Sequence, residues 1–389
     1  MTIQDINVAL FVRTFSEYGG AENMCYMLHH YLKKQGYGVR VFCGRNNTAL
    51  RGETVTEVPV FRLSRFGKIY SYFRSASRLL EELPDNTISL SFAPLPGCDI
   101  YRSGGSHLDF VTKTLRAQPT AMHKCSKAFR RAINPVNYLV PHLDKKIYSD
   151  RRTRRIIAIS RLMQEEIAGS YPTAVDKISI IPNGVDTRRF KHDNLNSWRQ
   201  NARAHYGMRE DAKIIGFCST NLELKGLRHL IQALSVLPEE YRVLVAGGRR
   251  PEKYLKAARA AGVGDRVHFI GKVNDMPRFY AALDLFCHPS FYDTFGNVVA
   301  EALASGIPVV TSPYVGAGDL IKSGQNGFIV DPEDKNALAG AIQDTYNLGT
   351  GDYSAGVMDK NAPFKEYEKL IMQVAQEKLG ATEHKTPQD

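Results

Sequence analysis

The chain of 389 residues is 43% hydrophobic and 23% charged, a composition typical of a globular protein that excludes a fibrous or disordered one. No run of apolar residues reaches the roughly 18 that a membrane-spanning helix needs, and the opening "MTIQDINVALFV" lacks the basic region of a signal peptide. These features predict a cytoplasmic protein of two domains. Six widely spaced cysteines predict neither a zinc clamp nor a disulfide framework.

The first half of the chain has the pattern of a parallel α/β sheet. An apolar run at 6–12 is followed by Gly19 and Gly20, by helically spaced apolar residues over 21–34, and by an alternating strand at 39–43. This strand, helix, strand unit is the building block of parallel sheets. Further strands are predicted at "TISLSFA", "RRIIAIS" and "KISIIP".

The second half repeats this plan. Strands are predicted at "KIIGFCS", "YRVLVAGG", "RVHFIG", "LFCHPS" and "PVVTS", with amphipathic helices between them. Such alternation predicts a second doubly wound domain. We therefore predict α/β domains over residues 1–186 and 187–362, with a helix over 363–379 that packs back on the first domain.

Two carboxylates flank a short helix start in the stretch "DTFGNVVAEALASGIPVV", residues 293–310. Asp293 is predicted on a loop beyond the carboxyl end of a strand, where doubly wound sheets bind ligands. Glu301 falls about one turn into a helix that begins near Gly296, and a helix start attracts phosphate. Because a carboxylate repels phosphate, its natural partner is a pair of sugar hydroxyls. The alternative, a solvated loop aspartate and a helix-surface glutamate, stays open on spacing alone.

The same stretch resembles the signature of retaining glycosyltransferases of family 4, which have the GT-B fold. Other similar motifs occur in order along the chain, at "GGAE", "IAISRLMQEEI", "IPNGVD", "LKGLRHLIQAL", "VAGG", "HFIGKVNDMPRFYAALDLFCHPS" and "NGFIV". The resemblance implies two Rossmann-like domains that face each other across a cleft, the first binding the acceptor and the second the nucleotide-sugar. The segment "CDIYRSGGSHLDF" is most similar to family members that glucosylate heptose in the lipopolysaccharide core.

The resemblance also implies roles for individual residues. Glu301 would hold the ribose, Asp293 the donor sugar and Lys225 the diphosphate, while His107 would lie on the acceptor side. Asp293 stands where most members have Glu, and the usual arginine before Lys225 is replaced by polar residues. Donor contacts are implied for Gly19, Gly20, Thr220, Asn221, Lys272, Val273, Phe295, Gly296, Asn297 and Val298.

The resemblance further implies transfer with retention of configuration and without a metal ion or other cofactor. UDP-glucose is the expected donor, although the sugar, the base and the acceptor are not fixed by the residues. Transfer to another lipid or to a capsular polysaccharide stays open. A non-catalytic nucleotide-sugar sensor on the same fold also stays open, prompted by Asp293 and the missing arginine.

Positive charge is concentrated between residues 110 and 155. Twelve of the 51 lysines and arginines lie there against two aspartates, in a chain whose formal net charge is +11. Aromatic residues alternate with them, including Phe110, Phe129, Tyr138 and Tyr148, a pattern that favours contact with anionic lipid headgroups. We predict a peripheral protein that works as a monomer on the inner face of the plasma membrane. Nucleic-acid binding is not expected, because no binding motif accompanies the charge.

Overall fold

The computed structural model describes residues 6–105, 107–118, 120–191, 195–248 and 251–383, which divide into two compact units. The N-terminal unit contains the described residues of Met1–Val111, Cys125–Pro182 and Asn361–Asp389. The C-terminal unit contains those of Thr112–Lys124 and Asn183–Lys360. Within the described part of the chain, no helix combines the length and apolarity that a membrane crossing requires.

The N-terminal unit is built on a seven-stranded parallel sheet with strand order β3-β2-β1-β4-β5-β6-β7. Its central strands are almost wholly buried, as expected for a parallel sheet that helices cover on both faces. The strands are β1 (Asn7–Val12), β2 (Gly38–Cys43), β3 (Val55–Glu57), β4 (Thr87–Ser91), β5 (Ile100–Arg102), β6 (Arg155–Ala158) and β7 (Ile178–Ile180).

Six helices connect these strands. Ser64 and Ser160 each accept a hydrogen bond from a backbone N–H of the first turn, and so fix the starts of the second and sixth helices. The helices are α1 (Ala21–Lys34), α2 (Arg65–Glu81), α3 (His107–Arg116), α4 (Ala121–Ala132), α5 (Val136–Ser149) and α6 (Arg161–Ser170).

The C-terminal unit has a six-stranded parallel sheet with strand order β10-β9-β8-β11-β12-β13. Its strands are β8 (Lys213–Cys218), β9 (Tyr241–Ala246), β10 (Val267–Gly271), β11 (Leu285–His288), β12 (Val309–Thr311) and β13 (Gly327–Ile329). Its helices are α7 (Thr187–Phe190), α8 (Leu195–His205), α9 (Leu227–Leu234), α10 (Glu252–Ala260), α11 (Met276–Ala281), α12 (Asn297–Ala304) and α13 (Lys335–Leu348). The two doubly wound parallel sheets confirm the predicted fold class.

Two segments group with a sheet that is distant from them in sequence. The last helix, α14 (Ala362–Glu383), places Phe364, Tyr367 and Ile371 in the hydrophobic core of the N-terminal unit. Residues 112–124 group instead with the C-terminal unit. There the Arg116 guanidinium lies 3.2 Å from the Asp331 carboxylate and also pairs with Glu333.

Candidate active site

The candidate site of the C-terminal unit lies at the carboxyl ends of β8 and β11. These strands are neighbours in the sheet, yet the chain leaves β8 toward one edge and β11 toward the other. Loops that diverge in this way open a crevice, and doubly wound sheets bind their ligands there. The loop after β8 carries Lys225 and the loop after β11 carries Asp293.

Two glycines with left-handed backbone begin the helices that follow these loops. Gly226 precedes α9 with a φ of 81°, and Gly296 precedes α12 with a φ of 91°. A Cβ atom at Gly226 would lie 2.0 Å from the Pro289 carbonyl oxygen, and one at Gly296 would lie 2.8 Å from Val315. Only glycine fits such positions without strain. The first N–H groups of α12 lack partners within the helix, and with its dipole they form an anion site.

Asp293 is paired within the protein. Its Oδ2 atom lies 2.6 Å from the Lys225 ammonium and 3.1 Å from Nε2 of His288. Burial alone would raise the pKa of Asp293, but Lys225 and His288 hold it well below the ordinary aspartate value. Burial lowers the pKa of His288, so its neutral ring donates through Nε2–H. Asp293 is therefore an ionised carboxylate whose position is fixed from two sides.

Lys225 is held by the same loop. Its ammonium donates to the backbone carbonyl of Tyr292 at 2.9 Å in addition to pairing with Asp293. An ammonium group has three N–H donors. Among the described residues these two oxygens are its acceptors, which leaves one donor for a ligand.

Glu301 has a partner that the sequence analysis missed. The Tyr280 hydroxyl lies 3.0 Å from Glu301 Oε2 and 3.0 Å from the carbonyl oxygen of Val298. Burial raises the pKa of Glu301, while Tyr280 and the charge of Arg189 oppose that rise. A carboxylate accepts up to about four hydrogen bonds, so one bond from Tyr280 leaves acceptor capacity for ligand hydroxyls.

The remaining donor-side residues differ in how far their side chains are exposed to solvent. Phe295 is buried, and its carbonyl oxygen accepts from the N–H of Ala317 at 2.6 Å. Asn297 is exposed at the start of α12, where its side chain accepts from Asn183 at 3.0 Å. The exposed set after β8 and β10 consists of Thr220, Asn221 and Lys272, while Val273 is half-buried.

Asn221 has a local structural role. Its side-chain oxygen accepts from the N–H of Leu224 at 3.2 Å, which stabilises the turn that carries Lys225. Arg249 and Arg250, the basic pair that follows the motif "VAGG", lie outside the described residues. No group of metal-ligating side chains occurs in the part of the chain that the structure describes.

The remaining candidates belong to the N-terminal unit: Gly19 and Gly20 on the donor side and His107 on the acceptor side. Gly19 has a φ of 105° and lies with Gly20 on an exposed loop that leads into α1. His107 begins α3, and its Nε2 lies 3.1 Å from the side-chain oxygen of Asn137. Burial lowers the pKa of His107, against the effect of the Asn137 bond and with that of the Arg65 and Arg131 charges. The ring is therefore mainly neutral near pH 7.

The basic stretch at 110–155 does not form one continuous exposed surface. Tyr148 is fully buried, so its assignment to a membrane-facing set is wrong: the last turns of α5 pack into the unit's core. Helix α4, in contrast, has no buried residue. Met122 is 76% exposed and Phe129 is 67% exposed, which places apolar side chains beside the helix's basic ones.

Comparisons with known proteins cover both units. Residues 18–189 match the family model "Glycosyltransferase Family 4" and residues 199–363 match "Glycosyl transferases group 1". The lipopolysaccharide glucosyltransferase WaaG of Escherichia coli strain K12 is 23% identical over 328 residues, which are 83% of this chain and 84% of WaaG.

Solved structures give the same result for the fold. A crystal structure of WaaG superposes with a TM-score of 0.69 at 20% identity, covering 94% of this chain and 99% of that one. Anabaena HepE in complex with UDP-glucose gives a TM-score of 0.65 at 19% identity, covering 95% and 100%. The two family models together span most of the chain, and the protein therefore belongs to the family 4, group 1 glycosyltransferases of GT-B fold.

Proposed function

We propose that this glycosyltransferase moves glucose from UDP-glucose to an inner-core heptose of lipopolysaccharide or to a similar cell-envelope acceptor. The observation that carries the proposal is the pair of fixed carboxylates, Asp293 and Glu301, on either side of the α12 start. That start and the remaining N–H of Lys225 suit a diphosphate. Support for the donor comes from the likeness to HepE with bound UDP-glucose, and support for the acceptor from the likeness to WaaG.

In the proposed reaction, Glu301 accepts from the ribose hydroxyls and Asp293 from hydroxyls of the donor sugar. The bond between the anomeric carbon and the diphosphate oxygen breaks as the acceptor hydroxyl attacks that carbon from the same face. The acceptor's proton passes to the departing diphosphate, and configuration is retained. Lys225 and the α12 start offset the developing charge, an effect worth several kcal/mol in a dry site. We expect no requirement for a divalent ion.

The test measures nucleotide release from UDP-, GDP- and ADP-sugars with a chelator present. We expect turnover of UDP-glucose by the wild type and a loss of about 100-fold in Glu301→Ala, since a hydrogen bond to a charged group is worth about 1.5–3 kcal/mol and Glu301 is proposed to accept from the ribose hydroxyls. Glu252→Ala is the matched control because Glu252 is an exposed helical glutamate of the same unit. Turnover only after added magnesium would contradict metal independence.

The acceptor is tested with the same proteins. Glycolipids that end in heptose, another lipid and a capsular oligosaccharide are supplied in turn with the donor that is turned over. Transfer to the heptose-terminated glycolipid alone supports the proposal. Nucleotide-sugar binding without transfer to any acceptor would indicate a sensor instead.

We also propose that α4 holds the enzyme on an anionic membrane surface. Its basic and exposed apolar side chains have the character of an interfacial helix, and each lysine or arginine near such a surface contributes about 1 kcal/mol. In flotation with anionic liposomes, Lys124→Gln with Arg130→Gln should weaken binding strongly. Lys365→Gln with Lys369→Gln, on the exposed face of α14, is the matched control. Equal binding to anionic and neutral liposomes would contradict the proposal.

A further inference from the structure

A cavity of about 330 Å³ lies in the N-terminal unit at the carboxyl ends of β1 and β2 and the start of α2. Glu22 in its lining lies beside Gly19, but no lining residue is itself assigned above to donor binding. Its charged lining consists of five basic residues and one acidic residue: Arg13, Arg45, Arg62, Arg65, Lys68 and Glu22. We call this cavity the basic pocket.

The positive charge of the basic pocket is largely uncompensated. Among the described residues, Arg13, Arg45, Arg65 and Lys68 form no ion pair. The Arg62 guanidinium lies 3.8 Å from the Glu57 carboxylate. The Arg62 side chain is 64% exposed and the Glu57 side chain is 47% exposed, so this ion pair contributes little to stability. Several like charges around one cavity repel one another. A bound anion would relieve that repulsion.

The floor of the pocket is apolar and closely packed. Ile69 is 6% exposed and Tyr72 is 2% exposed, and the Tyr72 hydroxyl is directed to the carbonyl of Phe42. Gly44 completes the floor: a Cβ atom there would lie 2.9 Å from Val60 and 3.2 Å from the Tyr72 ring. Charges at the rim of such a floor interact more strongly than charges in open water.

The chemistry of the lining selects phosphate. The planar guanidinium groups of arginine match the oxygens of phosphate in a bidentate manner, and a lysine adds a compact charge. The volume is at the lower end of small-molecule sites, about 300–1,000 Å³. It therefore accommodates a phosphorylated sugar residue rather than a bare phosphate ion alone.

The pocket also adjoins the acceptor side of the unit. Ile69 of the pocket lining packs with Val136 and Leu143 of α5, and Asn137 of the same helix lies within hydrogen-bond distance of His107. We propose that the basic pocket binds a phosphate group carried by the sugar acceptor. This rests on the proposed function only in naming the acceptor as the carrier; the phosphate site itself does not depend on it.

Calorimetric titration with inorganic phosphate and with glucose 6-phosphate tests the site. Arg65→Gln with Lys68→Gln should weaken the binding of both probes about tenfold, because two solvent-exposed ion pairs with the phosphate are lost and each such pair is weak. Arg74→Gln with Arg78→Gln removes the same charge from the exposed face of the same helix and should leave binding unchanged. Wild-type affinity in the Arg65 and Lys68 double variant, or no binding by the wild type, would overturn the proposal.

The acceptor assay identifies the source of the phosphate. Removing phosphate from the glycolipid acceptor should raise the wild-type KM for that acceptor about tenfold. The KM of the double variant should already be raised with the phosphorylated acceptor and should not change when the phosphate is removed. The acceptor role would be overturned if the wild-type KM were the same with and without acceptor phosphate and inorganic phosphate bound more tightly than glucose 6-phosphate. That result would assign the pocket to free phosphate. Transfer of sugar to the phosphorylated heptose glycolipid is the separate control. Its absence in every protein would contradict the proposed function, while the titrations would still decide the pocket.

Discussion

The two sheets share one strand order but differ in the charges at their carboxyl ends. In the C-terminal unit both candidate carboxylates have fixed partners: Asp293 has Lys225 and His288, and Glu301 has Tyr280. In the N-terminal unit the cations of the basic pocket have few counter-charges. The first arrangement fixes the proposed donor-binding carboxylates before a ligand arrives, whereas the second would be completed by the proposed phosphate. Removing a charge should therefore lower the free energy of unfolding in the C-terminal site and leave it nearly unchanged, or raise it, in the basic pocket.

The largest effect on stability is expected from Lys225→Ala. Asp293 would then remain largely buried with only His288 as partner, and we expect the free energy of unfolding to fall by about 2–3 kcal/mol. Adding Asp293→Asn to Lys225→Ala should recover about 1 kcal/mol, because no unpaired charge remains. Urea unfolding of the four proteins of this cycle measures both quantities. Additive losses would show that the pair is not coupled.

Gly296→Ala should disturb the donor side next. Alanine at a φ of 91° is strained, and its Cβ would press on Val315, so we expect a loss of about 1–2 kcal/mol in stability and weaker nucleotide binding. Gly340→Ala is the control, because Gly340 lies within α13 and its Cβ would meet nothing within 4 Å. Unchanged UDP affinity in Gly296→Ala would contradict the assigned role of the α12 start.

Tyr280→Phe tests the partner of Glu301. The substitution removes one hydrogen bond to a buried carboxylate, and we expect it to cost about 1–2 kcal/mol and to raise the pKa of Glu301 further. Phe279→Leu is a useful comparison because it alters the adjacent buried ring without touching Glu301. Full donor affinity in Tyr280→Phe would mean that the ribose site does not depend on this hydroxyl.

A smaller effect is expected in the pH dependence of stability. Since the folded state lowers the pKa of Asp293, its contribution is complete above the unfolded pKa of about 3.9. It is lost as the pH falls through the lower folded value. The stability difference between wild type and Asp293→Asn should thus be constant above about pH 5 and shrink below about pH 4. A difference that grows on acidification would contradict the pairing.

The smallest effect is expected at the basic pocket. Arg65→Gln with Lys68→Gln should change the free energy of unfolding by less than about 0.5 kcal/mol, or raise it, because the pair removes repulsion from exposed positions. Thermal unfolding without phosphate measures this change. A large loss would mean that these side chains have a structural role, and it would remove the contrast between the units.

The sequence predicted the longer elements of both sheets because their periodicity extends over many residues. It missed β3, β5 and β13, which have three residues each, although it predicted β7 and β12, which are equally short. The donor-side residues were predicted from the stretch at 293–310, but the contacts between them were not. Tyr280 and Glu301 meet only because α11 and α12 are adjacent in the fold, and sequence spacing does not reveal that.

His288 was the one missed residue with a visible signal. It ends the buried run "LFCH" at the sheet edge where ligands bind, and a polar side chain at that point indicates a site residue. Tyr148 shows the opposite error. Its place among basic residues suggested a surface ring, but the helix turns it inward, where it packs on Tyr171.

The division of the chain has a practical consequence for protein engineering. The backbone passes between the two units four times, after residues 111, 124, 182 and 360. A fragment that begins after Pro182 would lack residues 112–124 and leave Asp331 and Glu333 without the Arg116 guanidinium. Swapping the N-terminal unit for that of a relative therefore requires three segments of chain to be exchanged together, and swapping the C-terminal unit requires two. A hybrid joined at a single point would inherit mismatched ion pairs.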